Sequence, residues 1–513
     1  MFERFFLGTA RNKDAVSRAL ARGEIRRLRR GLLTTDLVTP LPALVRRHIW
    51  EIVRLIAPGC VIGYRTAIEL GPSPEGVVHL VGPTERRFEI HGTRIWIHEG
   101  PGPLEGDQPY MASLYLASRA RAYLEVLAPS RSGRRFGNKG LTGEEIEERL
   151  ERLLRVRGED DLREMRDLAR SLKADLGADR QFRWLDATVG ALLRTRDVPL
   201  ASRPGRARAA GHPYDSERLR LWQELHRLLM VDPYPDRAER YTPGSEGFAN
   251  AAFFDAYFSN WIEGTQFGLD EAREIVLRGA VPESRPADGH DVLGTFALVS
   301  DEAFMTGALA RILSGPDGFI EVLQEAHRRV MSARPEQSPG IFKTRPNQAG
   351  MTVFVTPELV RGTLREAHEF LATLPDGLAT AAYLMFVVTE VHPFSDGNGR
   401  VARAIANAAL AAADNARLII ATGYRDDYLR ALKALSHDAN PGPYMQMLAR
   451  AHQFTAELPF DDYDRTTELL EKTGALDDSG DGRLRLPSEL GDEGWLVAQP
   501  VWPLGTDLRV PPD

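Results

Sequence analysis

The chain has 513 residues, with 65 Lys+Arg against 72 Asp+Glu and a formal net charge of −7. Its 43% hydrophobic and 27% charged residues can bury real cores, which excludes a disordered or fibrous chain, and its length suits three or four domains at about 100–200 residues each. A single cysteine, Cys60, excludes an internal disulfide or a Cys-rich zinc module, and no apolar run approaches the ~18 residues of a membrane span.

The first residues, from Met1 to Asp14, mix apolar and basic side chains without a signal-peptide core, so a cytoplasmic protein with no membrane segment is expected. Charge is unevenly spread: residues 1–60 carry 12 basic and 5 acidic side chains, whereas residues 461–513 carry 5 and 13. Such a basic head suits an anionic partner, nucleic acid among them, while the acidic tail solvates the C-terminus. Within the head, residues 14–20 have helical apolar spacing, Gly23 breaks it, and 23–28 are expected to open a second short helix. Residues 29–34 read as a turn into an extended segment, followed by helices over 44–56 and 64–70. Residues 76–82, 88–90 and 93–97 alternate as strands, with Gly92 as a hairpin turn, and complete a region spanning 1–100. The next, 101–201, is mostly helical, with a loop at 129–140 and a charge-dense amphipathic stretch at 143–177. Residues 202–214, rich in Pro, Gly, Arg and Ala, read as a linker. From 215 to 455 nearly everything is helical except 340–357, where 340–342 and 351–355 read as short strands around 346–350. An acidic appendage, 456–513, carries the isolated Trp495 and Trp502.

Chemistry concentrates in residues 391–403, Val-His-Pro-Phe-Ser-Asp-Gly-Asn-Gly-Arg-Val-Ala-Arg. They lie between an apolar helical stretch (Ala381, Leu384, Phe386, Val387) and a second one with Val401, Ile405, Ala408 and Ala412 at buried-face spacing. Gly397, Asn398 and Gly399 can take positive φ or approach a ligand closely, so their N–H groups form a candidate anion nest, strengthened by the positive end of the following helix. Arg400 and Arg403 share one helical face, within reach of a polyphosphate. Asp396 is one hard carboxylate beside that site, as suits Mg²⁺ or Mn²⁺ held largely by phosphate oxygens. His392 has an intrinsic pKa suited to taking a proton from a hydroxyl, and Phe394 is expected to point inward. The set suits moving part of a nucleotide onto a hydroxyl.

These residues carry the whole signature of Fic-domain proteins, and the chain resembles that family over 215–455. The resemblance implies protein adenylylation: ATP is cleaved between its α- and β-phosphates, and AMP passes to a Ser, Thr or Tyr hydroxyl of a target protein or of the chain itself. It implies His392 as general base, Asp396 as the metal holder, Gly397, Asn398, Gly399 and Arg400 on the phosphates, and Arg403 on the γ-phosphate. Tyr428 matches a position beside the nucleotide base. Leu429 and Ser436 stand where some relatives carry an aromatic and an Asn, so UMP and GMP stay open as alternatives. Residues 343–357 resemble the family's β-hairpin flap, which holds a target segment by strand addition.

Upstream, Ser259-Asn260-Trp261-Ile262-Glu263-Gly264 resembles the family's inhibitory helix, here 250–264. Phe254, Phe258, Trp261 and Ile262 share a face, and Gly264 is a natural stop. Glu263 then falls in the last turn, where the helix dipole disfavours an anion by about 0.3–1 kcal/mol, so a cation should compensate it. By resemblance that cation is Arg403, which would be withdrawn from the γ-phosphate; the same glutamate could position a water that removes AMP. The first 70 residues, more loosely, resemble the winged helix of AbiEi-type antitoxins, whose arginines would touch DNA phosphates. The rival function is therefore a DNA-binding regulator or antitoxin-like protein whose Fic portion senses ATP or modifies itself. The expected fold is mainly α and multidomain: an all-α Fic domain with a β-hairpin flap, behind a winged-helix-like head and a mixed α/β middle region.

Overall fold

The computed structural model describes residues 2–128, 138–231, 234–477 and 484–490. They form two compact units, Met1–Gly211 and His212–Asp513. Helix dominates the chain, and sheet is concentrated in the first unit.

In the first unit, β1 (Phe5–Leu7), β2 (Arg26–Arg29) and β3 (Leu32–Thr34) form an antiparallel sheet in the order β1-β3-β2. Helix Lys13–Ala21 meets the first expectation, but residues 23–28 open no second helix. Gly31, at φ +82°, turns the chain back so that Arg26 faces Thr34 and Arg27 faces Leu33. The spacing of Ile25 and Leu28 suits one helical face; in extended chain it sends them to opposite faces, Ile25 into the cluster with Leu33 and Leu28 into that with Leu32, and pairing with the wholly buried β3 covers both. One α-helix therefore precedes the hairpin, and the two-helix element expected of a winged helix does not form within residues 2–34. The 44–56 helix is in fact two, Leu41–Arg47 and Ile49–Ile56, parted at His48 (φ −116°, ψ 29°).

The strands β4 (Val61–Ile62), β5 (Val77–Gly82), β6 (Arg86–Ile90), β7 (Thr93–Glu99), β8 (Gln108–Tyr110) and β9 (Leu114–Leu116) form a second sheet, ordered β6-β7-β5-β4-β9-β8. Gly92 makes the β6–β7 turn at φ +85°. A boundary at 100/101 cuts this sheet, because β9 pairs in parallel with β4 and Leu114 enters the same core as Ile62, Val78 and Ile97. Helix Gly143–Leu172 is opened by a Thr142–Glu145 capping box and interrupted at Gly158, φ +90°. The expected linker at 202–214 contains a helix, Arg203–Ala209. Ser202 Oγ caps it at the Gly205 N–H (3.1 Å), and Arg208 reaches the buried Glu151 carboxylate at 2.7 Å, an anchor that composition alone conceals. Of the loop expected at 129–140, residues 129–137 lie outside the described residues, as do Trp495 and Trp502.

The second unit is built around helix Leu378–Val391, buried on nearly every side as its all-round apolar sequence requires. Helix Asn398–Ala412 packs beside it after a six-residue connection, 392–397. Helix Glu246–Ile262 starts at Ser245, whose Oγ accepts the Phe248 N–H at 3.1 Å, and buries Phe253, Phe254, Tyr257 and Phe258. A buried network ties it to Asn398–Ala412: Asp255 accepts from Asn407 at 2.9 Å and from Arg417 at 3.2 Å.

The flap hairpin is shifted from its predicted register. Its strands are β10 (Gln348–Ala349) and β11 (Thr352–Val353), turning at Gly350 (φ +58°), so residues 340–342 belong to its root rather than to a strand. Pro346 lacks an N–H to donate, which keeps pairing to the residues after it. A boundary at 455/456 is also displaced: helix Gly442–Glu457 crosses it, and Leu470, Ala475 and Leu484 enter the main core. Truncating the fully buried Phe258 to Ala removes a ring from this core; Phe258→Ala is expected to lower unfolding free energy by about 3–5 kcal/mol, read by urea denaturation of the full chain.

Candidate active site

Helix Leu378–Val391 ends because His392 takes the left-handed conformation (φ +51°, ψ +59°) and Pro393 cannot continue it. A histidine held at such a backbone angle stores strain that the surroundings must stabilise. His392 Nδ1 lies 3.2 Å from the Thr389 carbonyl, an oxygen that only accepts, so Nδ1 carries the hydrogen and Nε2 keeps its lone pair. Burial pushes its pKa down to about 4; the Thr389 bond opposes this, the Lys343 charge adds to it, and Glu263 and Asp396 oppose it. At neutral pH the imidazole is therefore an uncharged base.

The connecting turn is held from inside. Asn398, buried, accepts the Phe394 N–H at Oδ1 (2.8 Å) and donates Nδ2 to the Phe394 carbonyl (2.9 Å). Phe394 is fully buried and stacked on His327 (3.8 Å between centroids, 2° between planes). His327 accepts the Gly340 N–H at Nδ1 (2.8 Å), so its Nε2 donates to the Asp396 carbonyl (3.1 Å). The nest read from three residues is narrower than expected. Gly397 alone has positive φ (+73°), Asn398 spends its side chain on the turn, and Gly399 is helical. Gly399 leaves room for the Glu263 carboxylate, which a Cβ there would displace. What remains is a helix N-terminus with its leading N–H groups unpaired within the helix, approached closely by an anion.

Both arginines are buried and engaged. Arg400 pairs with Asp291 at 2.7 Å, and Asp291 also accepts from Arg334 at 2.6 and 2.9 Å. Arg403 donates to Ser259 Oγ (2.9 Å), to the Ser259 carbonyl (2.8 Å) and to Glu263 (2.7 Å). Glu263 is the C-cap of helix Glu246–Ile262, and Gly264 follows at φ +94°. The structure thus brings Ser259 and Glu263 to Arg403, 140 positions from the glutamate, with Gly264 ending the helix just beyond.

Asp396 is half-exposed; Oδ1 accepts the Gly397 N–H at 2.6 Å and lies 3.6 Å from Arg400. Among the described residues no group of three or more His, Cys, Asp or Glu side chains is arranged to hold a metal. A lone carboxylate fits a hard divalent ion whose other ligands are phosphate oxygens and water, an ion that enters with a nucleotide. Tyr428, expected beside a nucleotide base, is an interior side chain here. Its burial raises the phenol pKa, an effect that the Arg403 charge opposes and Glu263 reinforces.

Sequence reading passed over Asp291, His327, Lys343 and Phe354. Lys343, at the flap root, is buried, and burial with the neighbouring Arg218 charge, opposed by Glu358, lowers its ammonium to about 7. None lies in the motif, and only contact across helices gathers them.

The histidines of this unit also set its acid response. Burial holds His327, His392 and His452 each near 4, below the ordinary 6.5. Each takes up a proton on unfolding, so stability is full above about 6.5 and declines as pH falls towards 4. Thermal unfolding between pH 7.5 and 4.5 is expected to show a falling midpoint, with a shallower slope in His452→Gln.

The Fic/DOC family matches residues 319–410. A Fido domain-containing protein of Dictyostelium discoideum is 30% identical over 101 residues, 19% of this chain and 71% of that one. Protein adenylyltransferase Fic of Nematostella vectensis is 27% identical over 288 residues, 52% of this chain and 66% of the relative, so the chain spans just under two thirds of that relative's length. Among solved structures, a fragment of Fic-1 from C. elegans aligns with a TM-score of 0.33 and 18% identity over 65% of this chain and 89% of that one.

Proposed function

This chain belongs to the Fic/DOC family, and from that premise we propose that it is a protein adenylyltransferase, transferring AMP from ATP to a Ser, Thr or Tyr hydroxyl of a target protein or of itself. The observation that carries this reading is the neutral His392, with Nε2 free to accept a proton, on the same short turn as the helix N-terminus and Asp396. In the reaction His392 Nε2 takes the hydroxyl proton as the oxygen attacks the α-phosphorus. The bond to the β-phosphate breaks, and pyrophosphate leaves. Asp396 would hold the Mg²⁺ or Mn²⁺ that enters with ATP and neutralises phosphate charge. The first N–H groups of helix Asn398–Ala412 and Arg400 would bind the phosphates.

Glu263 acts as the inhibitor in this reading. Its carboxylate stands over Gly399 and pairs with Arg403, so it occupies both an anion site and the cation meant for the γ-phosphate. The same position, beside the base, is where a water for AMP removal would be held. The target binds as an added strand on the hairpin β10–β11, whose Met351 is 90% and Val353 57% exposed. Labelled ATP with Mg²⁺ and intact-mass detection of an AMP adduct test this. His392→Ala is expected to lower transfer about 10²–10⁴-fold. Glu263→Gly, by removing a charge-assisted contact of about 1.5–3 kcal/mol, is expected to raise it roughly ten- to a hundred-fold. Equal labelling of all three forms rejects the reading.

A second reading concerns the head. A cleft of about 340 Å³ is lined by Arg29, Ile56, Arg86, Arg87 and Phe88, drawn from the hairpin β2–β3, the helix Ile49–Ile56 and β6. Convergence of three guanidiniums from two strands supports binding of a nucleic-acid backbone there, by a surface other than a recognition helix. The full chain is expected to bind duplex DNA with an affinity that falls steeply with salt, and Arg29→Ala with Arg86→Ala to reduce that slope by about two. Undiminished binding by this double variant rejects the assignment.

A further inference from the structure

The flap and the catalytic turn are joined more tightly than strand addition requires. Lys343, at the flap root, donates its backbone N–H to the Pro393 carbonyl (2.9 Å) and its Nζ to Asn347 Oδ1 (2.6 Å), with the Val391 carbonyl 3.4 Å away. Asn347 Nδ2 donates to the Phe394 carbonyl at 3.0 Å, and the Asn347 carbonyl accepts the Phe354 N–H at 3.3 Å. The backbone on both sides of His392 is thus stapled to the flap. Phe354, which leaves the hairpin just beyond β11, is buried and lies flat on the His392 ring, 3.8 Å between centroids and 4° between planes. Farther out, Arg218 donates to the Val353 carbonyl, and Thr352 Oγ1 meets His437 Nε2 at 2.8 Å.

The Thr389 bond fixes which nitrogen of His392 carries hydrogen, but one 3.2 Å contact leaves the ring free to rock about its Cβ–Cγ bond. The flat stack removes that freedom. Because the ring on the other side of the stack is carried by the flap, anything that moves the hairpin moves the plane of the base.

We propose that Phe354 is a positioning residue for His392, and that the flap presents the target and orients the base as one unit, so that a strand docked on the hairpin improves the alignment of the base that deprotonates it. This rests on the reading of His392 as general base. Lys343, Glu263 and Asp396 are the charged groups facing the imidazole, and Phe354 screens it from water.

The test uses the full chain in a Glu263→Gly background, assayed for AMP transfer against pH, with the His392 imidazole followed by ¹⁵N-histidine NMR. Phe354→Leu is expected to lower kcat at least ten-fold with the KM for ATP unchanged, while Phe354→Tyr restores kcat. The titration midpoint of His392 should rise from near 4 towards the ordinary 6.5 in the Leu variant, which a purely structural substitution would not produce. Phe354→Met serves the same test if Leu fails to fold. A folded Phe354→Leu protein with unchanged kcat and unchanged His392 titration overturns the proposal. Absence of any AMP transfer in the parent Glu263→Gly protein overturns the functional reading instead, and the NMR titration then decides the stacking role alone.

Discussion

Everything chemical in the second unit hangs on one closed turn, in which the Asn398 side chain bonds both the N–H and the carbonyl of Phe394. That pair of bonds brings the end of one buried helix to the start of the next. His392 is left at the exit of the first, and the Asn398–Ala412 N-terminus opens the second. The base and the anion-attracting helix end are therefore neighbours by construction rather than by the chance docking of separate loops. Phe394 under the turn, sandwiched with His327, makes the arrangement part of the core, so the strained left-handed histidine is held by packing.

Around this turn the electrostatics are arranged by borrowed charges. Arg400 and Arg403 project from one helix into an interior where a lone guanidinium is costly, and each is matched by an acid from a different helix. The two matches differ in kind. Asp291 is buried and itself held by Arg334, which makes Arg400 a fixed part of the framework. Glu263 is 30% exposed and sits on a helix C-cap, where the dipole disfavours it. The second pair is thus the one that can open, whereas its helix, locked through Asp255 to Asn407 and Arg417, cannot readily leave. In the proposed enzyme, release of inhibition is a movement of one carboxylate rather than of a helix.

The flap adds a mechanical layer. Its two-residue strands are too short to be stable alone, and its position comes from Lys343, Asn347, Phe354 and Arg218, all anchored to the catalytic turn or to the helices beside it. In the proposed enzyme, rigidity at the root and exposure at the tip let one hairpin face a target and hold the base.

The sequence alone determined the candidate chemical residues and the local frame they occupy. The 391–403 motif, the helices flanking it, the Glu263 helix and the Gly92 turn are readable because each rests on short-range rules: periodicity, helix stops and the backbone freedom of glycine. Short segments were decided by pairing rather than by their own spacing, so Arg26–Arg29 became a strand against β3, and the flap register slid to follow Gly350. Asp291 beside Arg400, Phe354 on His392, the burial of Tyr428 and the extension of the core past residue 456 were decided only by tertiary structure. Such contacts join positions tens to hundreds of residues apart, and no local rule couples residues whose proximity exists only once the helices have packed.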